Sequence, residues 1–308
     1  MKNNAMISTL FLLGVIFIAL TFYRQYCVDR NGKEGFTQTE VFSLKEGNDK
    51  YDEFYSEVYD TLNLCDKRAE EESMQVIQMT MPDKKYSVFL DVGSGTGDLV
   101  NRLQKDGYRV YGIDQSAAMC KRAITKYGGN IPVKEGDALV SMNFERNTFS
   151  HITCLYYTIY EIKDRRQFFK NCYFWMMGGG YLILHLVDPR EFDFIVPQGR
   201  PSVVDNIQKY ANRRITDTIV DFTGYTYTAG LQSPTSTIEE TDNIYLIKEE
   251  FRDKSTGHVR QNEQMLYMSS IEEILLEAIK CGFLVKGKAE MSGAQDKYQY
   301  MYILERTL

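Results

Sequence analysis

The stretch Asp91-Val92-Gly93-Ser94-Gly95-Thr96-Gly97-Asp98 decides the reading of this chain. It follows a short apolar run at 87–92 (SVFLDV) and opens a stretch of helical pattern at 99–105. Glycines at such a corner let the backbone turn tightly and come close to a ligand where a Cβ would clash. The first turn of the helix then offers unpaired N–H groups to a carboxylate or phosphate.

Outward from this corner, strand and helix patterns alternate. Residues 109–113 (RVYGI) read as a strand, 116–127 as a helix, 131–134 as a brief strand and 149–157 (FSHITCLYY) as an apolar run. A helix at 164–177 and a long strand at 180–187 (GYLILHLV) follow. Such alternation implies βαβ crossovers and a mostly parallel sheet, and nearly continuous apolar strands imply cover on both faces. Upstream, Tyr51, Phe54, Tyr55, Val58, Tyr59 and Leu62 share one helical face, with Asn48 or Asp49 as its expected cap, and 67–79 predicts a second helix. After Asp188-Pro189 the alternation stops. Residues 219–232 are rich in Thr, Tyr and Gly, and 243–251 and 258–268 predict two antiparallel strands about the turn 253–257. A helix at 270–279 and a strand pair, 283–290 with 298–305, close the chain.

The corner suits either a dinucleotide or S-adenosylmethionine. Three features bear on the choice. A dinucleotide fingerprint GxGxxG would place its third glycine at position 98, where this chain has an aspartate that would repel a diphosphate. Asp114 follows the strand 109–113 and can accept hydrogen bonds from both ribose hydroxyls, with either ligand. Glu135-Gly136-Asp137-Ala138 follows the next strand, where an acid beside a small residue can face an adenine edge.

In this order the segments resemble the class I S-adenosylmethionine-dependent methyltransferases. DVGSGTGD resembles the family's first motif, Asp114 its ribose-binding acid, Gly136-Asp137-Ala138 its adenine-side motif, FSHITCLYYTIYEI its fourth strand and following loop, and GGGYLILHLVDP its fifth-strand motif. Ser150 stands where the family usually has Asp. The resemblance covers roughly 51 to the C-terminus. It implies a Rossmann-like α/β three-layer sandwich: a mostly parallel seven-stranded sheet with an antiparallel last strand, and a β-rich insertion after the fifth strand, at 189–269. It also implies S-adenosyl-L-methionine as cofactor. The backbone of Gly93, Ser94, Gly95 and Gly97 would hold its methionine and ribose part, and Asp91 would act near its amino group. Asp114, with Gln115 beside it, would take the ribose, and Asp137 and Ala138 the adenine. Leu155 and Tyr156 would border it, and Tyr51 or Tyr55 would close over it.

Methyl transfer is a displacement at a sulfonium carbon, so alignment in a dry site supplies much of the catalysis and no particular side chain is forced. A base is needed only where the acceptor must lose a proton. His185, near the C-terminal end of its strand, and Tyr160, with Glu161, after the fourth strand, are the candidates. A buried neutral histidine is the plainer reading of His185. His151 begins its strand at the wrong end of the sheet, and His258 sits beside a turn. The insertion resembles the β-rich cover of small-molecule N- and O-methyltransferases. Within it Arg213, Arg214, Glu249 and Glu250 are the charges that can reach an acceptor, although solvated charge is the simpler reading of each.

Composition sets the outer limits. The formal charge of −6 argues against a broad nucleic-acid footprint. Twenty-two tyrosines and 17 phenylalanines suit an aromatic core or an aromatic pocket. Six cysteines form no CxxC pair and no zinc spacing, so no metal site is expected and each thiol reads as a small hydrophobe in a reducing compartment. The uncharged stretch 5–23 (AMISTLFLLGVIFIALTFY) would span about 28 Å as a helix and is expected to be an uncleaved single-pass membrane anchor. The slight excess of Arg24, Arg30 and Lys33 after it places the catalytic domain on the cytoplasmic side. The expected organisation is an anchor at 1–23, a linker at 24–47 and a methyltransferase domain at 48–308. The leading function is methyl transfer to a small-molecule, lipid-like or other membrane-near acceptor. The rivals are a protein methyltransferase, an NAD-dependent oxidoreductase and a non-catalytic, membrane-tethered module that binds S-adenosylmethionine.

Overall fold

The computed structural model describes residues 39–191, 196–199, 217–232, 243–291 and 298–308. In chain order the elements are β1 (Phe42–Glu46), α1 (Glu53–Asn63), α2 (Cys65–Thr80), β2 (Val88–Val92), α3 (Asp98–Lys105), β3 (Arg109–Asp114), α4 (Ala117–Tyr127), β4 (Val133–Glu135), β5 (Phe149–Cys154), the short α5 (Thr158–Glu161), α6 (Arg165–Trp175) and β6 (Met176–Val187). They continue with β7 (Asp217–Asp221), β8 (Tyr225–Gln232), β9 (Ile244–Asp253), β10 (Val259–Tyr267), α7 (Ile271–Lys280), β11 (Phe283–Glu290) and β12 (Gln299–Arg306).

Seven strands form the central sheet in the order β11-β12-β6-β5-β2-β3-β4. The pairs from β6 to β4 are parallel, and β12 runs antiparallel to both β6 and β11. This is the mixed Rossmann-like sheet expected from the sequence. Its two covered faces follow from the strand period of two. In β2, Val88, Leu90 and Val92 bury into one cluster and Phe89 into the other; in β6, Leu182, Leu184 and Leu186 oppose Ile183. The first cluster is completed by Tyr55, Val58 and Leu62 of α1 and by Phe168, Phe169, Cys172 and Trp175 of α6, the second by Leu99, Val100 and Leu103 of α3 and Ala123 of α4. Each such large apolar side chain contributes roughly 1.5–3 kcal/mol on burial.

Helix starts follow local chemistry. Asp52 caps α1 by accepting from Tyr55 N, in place of Asn48 or Asp49, which lie in a 3-10 turn at Gly47–Lys50. Ser116 caps α4, and Ser270 forms a capping box with Glu273 on α7. β6 begins at Met176, four residues before the expected start, with a register shift against β5 between Phe149 and His151.

A second sheet, in the order β1-β10-β9-β8-β7, forms a cover. The hairpin β9–β10 is the expected one. β8 was legible only as a Tyr/Thr-rich stretch, and it alternates with Tyr225, Tyr227, Ala229 and Leu231 buried. The linker expected at 24–47 is corrected in its last part: Phe42–Glu46 is a strand, paired in parallel with Val259–Glu263. Ladder hydrogen bonds to the edge of β10 order a segment whose own pattern is too short to announce a strand. The anchor expected at 5–23 lies outside the described residues; among those described, no helix is long and apolar enough to cross a membrane.

Candidate functional site

The glycine corner is fixed to the neighbouring strand. Gly93 N and Ser94 N donate to Ile113 O at 2.9 and 3.1 Å, so the loop is drawn over the C-terminal end of β3. Gly95 has φ +52°, and a Cβ there would meet only the Tyr59 ring, at 3.7 Å, so its open side faces the cleft. Gly97 differs. At φ +79° its missing Cβ would lie 2.9 Å from Ile131 and 3.0 Å from Ala123. It lets the second core close beneath the loop and does not line the cleft, which corrects its expected contact with a ligand.

Asp114 stands at the tip of β3. Its Oδ2 accepts from Gly95 N at 2.8 Å and its Oδ1 from Ser116 N at 2.9 Å. Each oxygen keeps a further lone pair. Burial pushes the carboxyl up to about 6, against the pull of those two amide donors. Gln115 beside it accepts from Asn48 of the 3-10 turn. Asp137 accepts from Leu139 N at 2.8 Å, and Ala138 and Leu139 stand with Ile113 and Met119 on the wall.

From this corner a cavity of about 980 Å³ runs to the inner face of the cover sheet. Gly93, Gly95, Asp114, Gln115, Asp137, Ala138, Tyr156 and Tyr55 all line it. Six tyrosines do so as well, Tyr51, Tyr55, Tyr59, Tyr156, Tyr157 and Tyr227, which gives the tyrosine-rich composition a pocket role alongside its core role. Tyr156 and Tyr157 have φ of +47° and +66° where β5 ends. Two consecutive left-handed non-glycine residues cost of order 1–3 kcal/mol each, the kind of strain found where side chains are aimed at a ligand. At the far wall Glu249 is buried. Its Oε1 accepts from Tyr55 Oη at 2.8 Å and Tyr227 Oη at 2.7 Å, and its Oε2 lies 3.9 Å from the buried Lys50 Nζ.

Residues 89–180 match a family profile described as "Methyltransferase domain". Over these residues the chain is similar to a methyltransferase domain. An uncharacterized methyltransferase from Geobacillus kaustophilus (strain HTA426) is 43% identical over 63 residues, 20% of this chain and 29% of the relative. The chain spans 29% to 40% of the length of the curated relatives it matches. An S-adenosylmethionine-dependent methyltransferase structure from Clostridium acetobutylicum ATCC 824 superposes with a TM-score of 0.61 at 17% identity, covering 82% of this chain and 98% of that one. An S-adenosylmethionine-bound amino pentose methyltransferase of calicheamicin biosynthesis, from Micromonospora echinaspora, gives 0.54 at 18% identity, over 79% and 92%. These structures share the fold.

The remaining expected residues separate. Asp91, Ser94 and Leu155 line a smaller adjoining cavity of about 40 Å³, which shares Gly93, Gly95 and Tyr156 with the large one. Asp91 accepts from Thr153 Oγ1 at 2.7 Å, and burial pushes its carboxyl up to about 7. Asp98 is met by Lys126 Nζ at 2.8 Å and Tyr127 Oη at 2.8 Å. Lys126 is shared with Asp60 at 2.7 Å, so the charge of Asp98 is met only in part within the fold.

Neither catalytic candidate lines the large cavity. His185 is buried against Tyr157, with Nε2 3.0 Å from Gln299 Oε1. Tyr160 Oη accepts from Val187 N at 2.8 Å, and burial raises its phenol. Both hold β6 to its neighbours. His151 is stacked on Phe89 in the core. Arg213 and Arg214 lie outside the described residues. Glu250 faces away and pairs with Arg252 at 2.7 Å, while Glu249 enters the cavity, contrary to the expectation of a solvated pair.

Lys50, Asn63, Tyr227 and Arg68 went unseen in the sequence, where Tyr59 reads only as part of a helical face. Arg68 stacks on Tyr156 with 3.5 Å from guanidinium to ring centroid, lines the smaller cavity, and pairs through Nε with Glu72 at 3.6 Å, while its Nη1 has no hydrogen-bond acceptor among the described residues. An arginine four residues into α2 carries no local signal. Only the turn at Leu64, with φ +45°, swings it back toward the glycine corner.

Proposed function

We propose that the protein is an S-adenosylmethionine-dependent methyltransferase whose acceptor is a small molecule enclosed beneath the cover sheet. The observation that carries this reading is one continuous cavity joining the Asp114 corner to the tyrosine-lined wall at Glu249. At about 980 Å³ it lies at the upper end of ordinary ligand pockets, roughly 300–1,000 Å³, as a site for two molecules requires.

The residues present fit the cofactor. Gly95 offers bare main chain, Asp114 offers free lone pairs to a diol, and Ile113, Met119, Ala138 and Leu139 form an apolar slot beside Asp137. Arg68, paired through Nε with Glu72, keeps Nη1 to offer a ligand carboxylate. When bound, S-adenosylmethionine supplies a methyl group on a positively charged sulfur. The protein's own part is to orient the acceptor and exclude water: Tyr55, Tyr227, Ile247 and Leu266 close the acceptor end, and the cover shields it from solvent.

The described amino pentose methyltransferase, a small-molecule enzyme on the same fold, supports an acceptor of that size. The apolar stretch 5–23 supports a single-pass anchor with the domain on the cytoplasmic side, and hence a membrane-near acceptor. The test is calorimetry of the full chain with S-adenosylhomocysteine and, separately, NAD. Saturable binding of the first and none of the second is expected; the reverse overturns the reading in favour of an oxidoreductase. Labelled cofactor followed by mass analysis of lipid, small-molecule and protein fractions then identifies the acceptor, and label confined to protein would overturn the small-molecule assignment.

A further inference from the structure

The wall of the large cavity carries seven carboxylates, Asp49, Asp52, Asp114, Glu135, Asp137, Glu161 and Glu249, against three lysines, Lys45, Lys50 and Lys163. Most of the charge beyond the Asp114 corner is already answered. Asp52 pairs with Arg260 at 2.8 Å and Lys45 at 3.9 Å. Glu249 holds two tyrosine hydroxyls and Lys50. Lys163 lies over the Tyr267 ring. Among the described residues, Asp49 and Glu135 are exposed carboxylates without an ion pair, and beyond the Asp114 corner Glu161 is the part-buried one. Its Oε1 accepts from Tyr51 Oη at 2.6 Å, and among the described residues it forms no ion pair. It sits on α5, directly after the strained Tyr156–Tyr157 corner, between the cofactor end and the cover.

The aromatic surround already accepts an ammonium. Lys50 Nζ lies 4.6 Å from the Tyr51 ring centroid and 5.4 Å from that of Tyr55. Tyr51 and Tyr55 are packed edge to face at 5.6 Å, and Tyr55 continues to Tyr59 at 5.8 Å. Ring faces of this kind attract cations, more strongly when water is excluded. A cavity with more carboxylates than cations on its wall, and with part-buried Glu161 beside tyrosine faces, favours a nitrogen that carries or gains positive charge over a neutral hydroxyl.

We infer that the acceptor is an amine and that Glu161 is the residue that holds its nitrogen. The inference rests on the proposed methyltransferase reading. Glu161 accepts an N–H hydrogen bond from the neutral amine and turns its lone pair toward the methyl carbon. That lone pair forms the N–C bond while the C–S electron pair stays on sulfur, so the positive charge leaves sulfur and appears on nitrogen. No proton needs to move in this step, and no base is required. Glu161 therefore interacts more strongly as the reaction proceeds, the condition for accelerating it rather than only binding the acceptor. The methylated nitrogen later releases its proton to solvent.

The test uses the full chain saturated with S-adenosylhomocysteine and two ring-sized probes, cyclohexylamine and cyclohexanol, titrated by ligand-observed NMR. Cyclohexylamine is expected to bind the wild type at least tenfold more tightly than cyclohexanol, and Glu161→Gln is expected to erase that difference. Tyr51→Phe, which keeps a ring face and the Glu161 charge but removes the hydroxyl donor, is expected to lose less amine affinity than Glu161→Gln. Equal affinity for the two probes in the wild type overturns the inference, and so does loss of amine binding in Tyr51→Phe to the same extent as in Glu161→Gln, which would mark a structural role. S-adenosylhomocysteine affinity in Glu161→Gln should stay within threefold of wild type. Should Glu161→Gln not fold, the wild-type probe comparison decides alone. Failure of S-adenosylhomocysteine to bind the wild type would instead strike the methyltransferase reading itself.

Discussion

The hydroxyl of Tyr55, on the first helix of the Rossmann-like domain, donates to Glu249 on the cover sheet across 194 positions of sequence, at 2.8 Å. Tyr227 donates to the same oxygen at 2.7 Å, and Asn262 donates to the other at 3.3 Å. Burial and the nearby carboxylate both raise the Tyr55 phenol, so it remains a donor at every physiological pH. The cover is thus held to the domain through a buried, hydrogen-bonded charge. Tyr55→Phe removes one donor from it, and a hydrogen bond to a charged group is worth about 1.5–3 kcal/mol. Urea unfolding is expected to show a loss in that range, while Tyr51→Phe, whose partner Glu161 is more exposed, loses less.

Gly95 and Gly97 separate binding from folding. Both have left-handed φ, but only Gly97 has core atoms within 3.0 Å of a missing Cβ. Gly97→Ala is expected to cost stability by roughly 1–3 kcal/mol through overpacking, beyond the backbone cost the two positions share. Gly95→Ala is expected to lower S-adenosylhomocysteine affinity with a smaller fall in melting temperature. Calorimetry and thermal unfolding on the pair of variants check the split.

Asp114 links cofactor affinity to pH. Its carboxyl, normally near 3.8, titrates at about 6 because it is buried. Below that pH it is protonated and loses acceptor capacity toward ribose hydroxyls. S-adenosylhomocysteine affinity is therefore expected to rise from pH 5 to pH 7.5, and Asp114→Asn is expected to bind more weakly and with little of that rise. Calorimetry across the range tests both the direction and the residue. Asp114→Ala at pH 7.5 should lose about 1.5–3 kcal/mol of binding, and unchanged affinity would remove Asp114 from the ribose position.

Asp91 links stability to pH in the opposite direction from a salt-bridged acid. Burial raises it from 3.8 to about 7, with the Thr153 hydroxyl pulling the other way. A raised folded-state value means the native state holds the proton more tightly than the unfolded chain. The stability it contributes is full below about pH 4 and is lost as pH rises through about 7, at up to about 1.4 kcal/mol per unit in between. Asp91→Asn is expected to lose less stability than wild type between pH 5 and pH 8 in parallel urea titrations. Identical pH slopes would show that Asp91 stays ionised in the folded protein.

The glycine corner and Asp114 were legible because their chemistry is local. Bare main chain, an apolar strand before it and an acid at the tip of the next strand all lie within the 28 residues 87–114. Glu249 was not legible, because its meaning depends on strand register. In β9 successive side chains point to opposite faces, so of two adjacent glutamates one enters the cavity and the other meets Arg252 outside. The fate of Lys50 is equally non-local: it is buried because Glu249 and two tyrosine rings await it. His185 and Tyr160 stood near the right end of the sheet, but position along a strand does not say which face a side chain takes. Strand β1 shows the same limit, since its partner lies more than 200 residues away.

That strand decides where a mechanical load would go. β1 is the point at which the N-terminal segment joins the described protein, and its ladder is with β10 at the edge of the cover, not with the central sheet. Beyond it, Arg260 of β10 grips Asp52 and the Lys50 carbonyl, at 2.8 and 3.0 Å. Tension drawn through the N-terminus is therefore borne first by the cover sheet, ahead of the Asp114 corner. A tether attached in this way would unseat the cover before it disturbed the Asp114 corner.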